Sequence, residues 1–345
     1  MLAPFPDSRA ANALPMSLFR PRLLLSVALL GLLAGCGGDP VRPTPPPPPV
    51  VVPQAKPVKI GIALGGGAAK GFAHIGVIKM LEANGFEPVV VSGTSAGSVV
   101  GALYASGMDA FQMQGKAVAL DEASIRDVRL FSGGLVQGQK LQDYVNEQVA
   151  NRPAERLKKP FAAVATQLET GERAIFVRGN VGQAVRASSS IPGVFEPVKI
   201  GGRNYIDGGV VSPVPVDAAR QLGADFVIAV DISSKASGKA PTDMLGIVNQ
   251  SIAIMGQRLG EQELARADIV IRPKVLDIGA ADFSQRGTAI LEGEKAAMAA
   301  MPQIRAKIQQ LRNARAAAAA PAPVAAPRCE EASRLGRLMG RKDKC

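Results

Sequence analysis

Pro88-Val89-Val90-Val91-Ser92-Gly93-Thr94-Ser95-Ala96-Gly97-Ser98-Val99-Val100-Gly101-Ala102 is the stretch that decides the fold. A β-branched run feeds Gly-x-Ser-x-Gly, and a small-residue segment follows. The order predicts a short buried strand, a sharp turn and a helix. Such a turn lifts the Ser95 hydroxyl above the sheet edge, and Gly93 and Gly97 flank it because a Cβ there would clash with packed backbone. The following helix aims its N-terminal amides at the same spot, which favours negative charge.

Upstream, Val58 to Leu64 reads as a buried strand that breaks into Gly65-Gly66-Gly67-Ala68-Ala69-Lys70-Gly71. A helix with Ile75, Ile78 and Leu81 on one face follows and stops at Gly85. With the strand at Pro88–Ser92 this is a strand–helix–strand unit, expected to be parallel and right-handed. Downstream, the region 108–160 is helical and charged, and Phe161–Leu168 and Arg173–Val177 read as strands. Val198 to Ile206 is a hairpin with a Gly201-Gly202 turn that leads straight into Asp207-Gly208-Gly209. Helices at 215–222 and 244–266 alternate with strands at 225–230 and 268–271. The fold class is therefore α/β, one domain from 58 to 302.

The chain of 345 residues contains one histidine, His74, and none after Ser95. A hydrolase whose serine relies on a later histidine base is thereby excluded. Three alternatives remain: Ser95 is structural, its base is a carboxylate, or His74 reaches it from upstream. Asp207, between a hairpin and two glycines, is the leading carboxylate, since partial desolvation there would make it a stronger base. An Asp-Gly turn that caps its own backbone is the equal alternative. Asp217, early in a helix, and Asp231, at a strand end, are rivals with structural readings.

The first glycine loop lacks nucleotide spacing. Counted from Gly65, the sixth position is Lys70 where a dinucleotide fingerprint needs glycine, and no Gly-Lys-Ser/Thr closes it as in a P-loop. It reads instead as a nest of amides able to hold an oxyanion. Lys70 either steadies that loop, meets a phosphate, or is a solvated helix-start lysine. One histidine and scattered carboxylates form no metal-ligand cluster, so neither metal nor cofactor is expected.

The net charge of +11 suits anionic partners, but no aromatic–basic interleaving marks a nucleic-acid module, and much of the excess lies at 312–344 as a solvated tail. Near the other end, Arg20 and Arg22 precede an apolar run, Leu23 to Leu33, too short to span a membrane comfortably. It ends in Leu33-Ala34-Gly35-Cys36, which resembles the lipobox of bacterial lipoproteins. The expected plan is a signal peptide over 1–35 starting at Met16 and lipidation at Cys36. A stiff proline-rich spacer over 36–57 follows. Residues 303–345 form a helical, then Ala/Pro-rich basic tail, in which Cys329 and Cys345 could pair in an oxidising compartment. Gly37 after Cys36 favours an outer-membrane anchor facing the periplasm of a bacterial envelope.

From about 60 to 275 the chain resembles the patatin-like phospholipases, particularly bacterial members akin to the esterase domain of neuropathy target esterase. Four blocks carry the resemblance: Gly65–Gly71 with His74-Ile75-Gly76-Val77, the Gly93–Gly97 elbow, Ala187-Ser188-Ser189-Ser190-Ile191-Pro192-Gly193, and Asp207-Gly208-Gly209. Compared with the plant storage form the glycine loop carries one extra residue, as bacterial members commonly do, and Lys70 stands where arginine is commoner. The resemblance implies a three-layer α/β/α sandwich with a mainly parallel central sheet. It also implies a serine acyl hydrolase of the phospholipase A or lysophospholipase type acting on phospholipid or other acyl esters. Ser95 would be its nucleophile, Asp207 its base, and the amides of Gly66, Gly67 and Ala68 its oxyanion hole. His74 would pack behind the loop, and Ser188–Pro192 would line the site. An acyltransferase using the same dyad and a catalytically silent envelope scaffold are the alternatives.

Overall fold

The computed structural model describes residues 56–121, 125, 127, 136–235, 240–319 and 338–340. The expected signal peptide, Cys36, almost all of the spacer, and the Cys329–Cys345 pair lie outside the described residues.

Eight strands form one sheet: β1 Ile60–Leu64, β2 Val90–Thr94, β3 Phe161–Gln167, β4 Arg173–Phe176, β5 Val198–Ile200, β6 Arg203–Asp207, β7 Phe226–Val230 and β8 Ile269–Ile271. The order is β5-β6-β3-β2-β1-β7-β8, with β4 on β3. The five strands β3, β2, β1, β7 and β8 run parallel, while β4, β6 and β5 are added antiparallel. Among the described residues eight α-helices accompany them: α1 Phe72–Ala83, α2 Ala96–Ala105, α3 Ala110–Ala119, α4 Gln139–Gln148, α5 Val181–Ser188, α6 Val216–Gln221, α7 Met244–Leu264 and α8 Arg286–Ala319.

The period-2 alternation of the strands divides the core. Ile60, Ile62 and Leu64 of β1 and Phe226, Ile228 and Val230 of β7 pack with apolar residues of α1, α2 and α8. Ala63, Val227 and Ala229 face the other way, onto Val216 and Ala219 of α6 and Leu264 of α7. The result is helix, sheet, helix: an α/β/α sandwich. Its parallel strands are buried on both faces, which is why they read as near-continuous apolar runs.

Two elements depart from the sequence expectation. Helix α5 arises in a segment where no helix was expected; Asn180 caps it by accepting from Gln183 N–H at 2.7 Å. Helix α8 runs across the expected domain limit at 302, with Pro302 inside it and Ile304 and Ile308 buried in the main core. The domain therefore extends beyond 302. A close crossing holds the helix: a Cβ at Gly76 of α1 or Gly293 of α8 would collide with the backbone of the opposite helix.

Candidate active site

Strand β3 organises the site. One of its edges is taken by β4 along Ala163–Thr166. The other pairs with β2 up to Thr94↔Val164, and where β2 ends β6 takes over, from Ala165↔Asp207 to Gln167↔Tyr205. Thr94 and Asp207 thus occupy consecutive positions along one strand edge, and the residue after Thr94 is Ser95. An antiparallel hairpin 112 residues downstream of Ser95 delivers its carboxylate to the elbow.

At the elbow Ser95 has φ 54° and ψ −125°, a left-handed conformation that costs a non-glycine residue about 1–3 kcal/mol. The neighbours hold it there. A Cβ at Gly93 would collide with Gly97 O, and one at Gly97 with Leu64 O, so the strand–helix turn closes only with glycine at both positions. The Ser95 N–H donates to Ser188 Oγ at 2.9 Å, and the Ser188 hydroxyl donates to Val164 O at 2.6 Å. Ser95 O accepts from the Ser98 hydroxyl at 2.7 Å. Ser188, expected only to line the site, fixes the elbow to β3.

The glycine loop passes directly over the elbow: a Cβ at Gly66 would come within 3.2 Å of the Ser95 Cβ. Its amides are unequal. Gly65 N–H donates to Val230 O, Gly66 N–H to Pro213 O and Ala69 N–H to Ala280 O, each at 3.0 Å. The N–H groups of Gly67 and Ala68 have no backbone acceptor among the described residues. Of the three expected donors, Gly66 is therefore committed to a carbonyl, while Gly67 and Ala68 are free to receive an anion. Ala68, like Ser95, is held at positive φ, 51°.

Asp207 is 5% exposed. Its Oδ1 accepts from Gly209 N–H at 2.7 Å, whereas Oδ2 has no hydrogen-bond partner among the described residues. Burial raises its pKa to about 6, partly offset by the nearby Ser95 hydroxyl and the Gly209 amide. The serine and the carboxylate thus sense each other without completing a hydrogen bond, as in many unliganded sites. Of the two Asp207 readings weighed from sequence, the cap is present: one oxygen accepts from the Gly208-Gly209 turn, while the other has no partner among the described residues, with the Ser95 hydroxyl nearby. A Cβ at Gly208 would collide with Val164 O, so that glycine lets the turn pack against β3.

Above Ser95 opens a cavity of about 330 Å³ with an overwhelmingly apolar wall, including Phe72, Val99, Leu103, Met113, Ile191 and Phe283. Of the 188–192 segment, Ser189 and Ile191 border it.

Residues 62–220 match the patatin-like phospholipase family. This stretch, a little under half of the chain, is patatin-like. An uncharacterised NTE family protein of Mycobacterium tuberculosis is 36% identical over 184 residues, 53% of this chain and 51% of that protein. A second from the same species is 30% identical over 273 residues, 70% and 46% of the two chains. The lysophospholipase nte1 of Aspergillus fumigatus is 32% identical over 181 residues, 51% of this chain and 12% of that protein. The chain spans about half the length, or less, of the curated relatives it matches. VipD from Legionella pneumophila, a solved structure, is 15% identical with a TM-score of 0.40 over 76% of this chain and 68% of that one, too slight a likeness to bear an argument.

Other candidate residues of this patatin-like domain occupy supporting positions. His74 is fully buried on α1, with Nε2 2.8 Å from Gly65 O and Nδ1 unpartnered among the described residues. Burial pushes its pKa down to about 4, so it is neutral at pH 7, donates from Nε2 and braces the glycine loop from behind. Lys70 is not solvated: it is 3% exposed, and its ammonium donates to Ser234 Oγ at 2.7 Å. Burial lowers its pKa to about 8, partly countered by Asp231. Asp217 pairs with Arg266 and Arg173, and Asp231 with Lys235 and Arg272, so both rival carboxylates are bound in salt bridges.

Proposed function

We propose that this chain is a serine acyl hydrolase of lipid esters, with Ser95 as nucleophile and Asp207 as its base. The supporting observation is the vacant, buried Asp207 Oδ2 beside a strained Ser95 at the mouth of an apolar cavity. In this reading the acyl chain enters the cavity, where each buried methylene contributes about 0.8 kcal/mol. Ser95 Oγ attacks the ester carbonyl carbon as its proton passes to Asp207 Oδ2. The carbonyl oxygen, now anionic, takes the N–H groups of Gly67 and Ala68; losing one such donor costs about 10²–10³ in rate. As the tetrahedral centre collapses, the alcohol leaves with the proton held by Asp207. Water, deprotonated by the same carboxylate, then attacks the acyl-enzyme and releases the fatty acid.

The lysophospholipase name of one relative and the family match favour phospholipid or lysophospholipid substrates. The lipobox-like Cys36 would place the domain on a bacterial envelope membrane, where such lipids reside. The decisive experiment is labelling of the full chain with a fluorophosphonate, whose phosphorus takes the place of the ester carbonyl carbon. Peptide mapping finds the adduct on Ser95, and Ser95→Ala loses both the adduct and release of acyl chains from lysophospholipid vesicles. A folded wild-type protein that neither labels nor hydrolyses any acyl ester would refute the reading and leave the scaffold alternative.

A further inference from the structure

A third carboxylate, outside the Ser95–Asp207 pair and not lining the cavity above Ser95, reaches the elbow, the glycine loop and the Asp207 turn through one short loop. Glu263, near the end of α7, is 4% exposed. Its Oε1 accepts from the Ser212 hydroxyl at 2.5 Å and its Oε2 from Val214 N–H at 2.9 Å, so the two oxygens grip both ends of Ser212-Pro213-Val214. That tripeptide is the junction of the site. Ser212 N–H donates to Gly208 O at 2.8 Å, tying it to the Asp207 turn. Its carbonyl accepts from the Thr94 hydroxyl at 2.8 Å, tying it to the residue before Ser95. Pro213 O accepts from Gly66 N–H at 3.0 Å, tying it to the loop that carries the free amides of Gly67 and Ala68.

We infer that Glu263 is a positioning residue that fixes the oxyanion loop, the elbow and the Asp207 turn relative to one another through the 212–214 tripeptide. This rests on the acyl-hydrolase reading and deepens it. Burying a carboxylate is costly, and it is tolerated where donors satisfy it. Here both donors belong to the loop being held, and Arg173 of β4 supplies a cation 3.6 Å away. The other charges that face this point are Asp217 of α6 and Arg266 in the turn after α7, which bind each other at 2.7 Å. Glu263 holds both donors best as an anion, because a proton on either oxygen would compete with the Ser212 hydroxyl or the Val214 amide. Burial pushes its pKa up to about 7, countered mainly by those two donors. The grip therefore loosens as pH falls through neutrality.

The test uses the full chain with a p-nitrophenyl acyl ester in two variants, Glu263→Gln and Ser212→Ala, each first checked by thermal melting. Glutamine keeps the shape but points an NH₂ at one of two donors. We expect kcat to fall by about 10²-fold, the scale of an ångström of misplacement, with KM close to wild type. The acid limb of kcat should lose one ionisation and move to lower pH, an effect that lost packing alone does not produce. Ser212→Ala should give a smaller kcat loss, and it decides the matter if the glutamine variant does not fold. Wild-type kcat in the folded variants, or an unchanged acid limb in the glutamine variant, overturns the inference. An active wild type with insensitive variants sinks only this inference, whereas an inactive wild type sinks the acyl-hydrolase reading with it.

Discussion

Asp207 closes β6 and Asp231 follows β7, and the two are 5% and 4% exposed. Their partners differ completely. For Asp231, burial works against the charge, but the Ser233 hydroxyl at 2.5 Å, Lys235 at 3.4 Å and Arg272 at 3.3 Å outweigh it and hold the carboxyl below its ordinary value. For Asp207 there is no cation, one oxygen is vacant, and burial prevails. Burial alone therefore does not make a base. What distinguishes the two is burial without a cation and with an oxygen left facing a hydroxyl.

Exchanging each carboxylate for its amide should break the comparison most sharply. Asp207→Asn is expected to lower ester turnover by at least about 10³-fold, within the range for loss of a general base, while its circular dichroism matches wild type. Asp231→Asn should retain turnover per folded molecule. Equal losses in the two variants would erase the distinction.

Stability should respond with opposite signs. The folded pKa of Asp207, about 6, lies above the ordinary 3.8, so between these values the fold binds the proton more tightly than the unfolded chain does. Its charge therefore costs stability as pH rises through about 6, and Asp207→Asn should be more stable than wild type at pH 7, by at most about 3 kcal/mol. Asp231 has a depressed folded pKa, so its contribution is present above the ordinary value and lost as pH falls below it. Asp231→Asn should lose about 1–3 kcal/mol at pH 7, and the gap should close in acid. Denaturant melts of both variants at pH 7 and at about pH 2.5, below the ordinary carboxylate range, read the two signs.

The smallest effect is reserved for His74. Loss of the brace on Gly65 O should cost His74→Ala about 1–3 kcal/mol of stability, the price of leaving a buried carbonyl unpaired. Fluorophosphonate should still label its Ser95. An abolished adduct in a folded His74→Ala protein would return the base to the imidazole.

The parts of the site that a local pattern encodes were legible in the sequence. Gly93, Ser95 and Gly97 announce the turn because the Gly97 and Leu64 carbonyls leave no room for a Cβ at either glycine, and β1, β2, β3 and β7 announce themselves as runs buried on both faces. Asp207 was reachable through its glycines, but its apposition to Ser95 depends on β6 replacing β2 along one edge of β3, which no local pattern records. Glu263 and Ser212 gave no signal, since their link joins positions 51 apart through a single hydrogen bond. Lys70 stayed open among three readings because its burial depends on Ser234 and the loop after β7. The domain limit was set at 302, beside a proline that ordinarily ends a helix; packing of α8 on α1 carries the helix and the core past it.

The pH dependence of Ser95 phosphonylation tests the central claim most directly, because it follows nucleophile and base in one reaction without product release. If Asp207 is the base, the labelling rate in wild type climbs with pH through an ionisation near 6 and, through Glu263, one near 7 before it levels, and Asp207→Asn labels at least about 10²-fold more slowly with the ionisation near 6 gone. A rate in Asp207→Asn equal to wild type, with the same pH midpoint, would contradict the account.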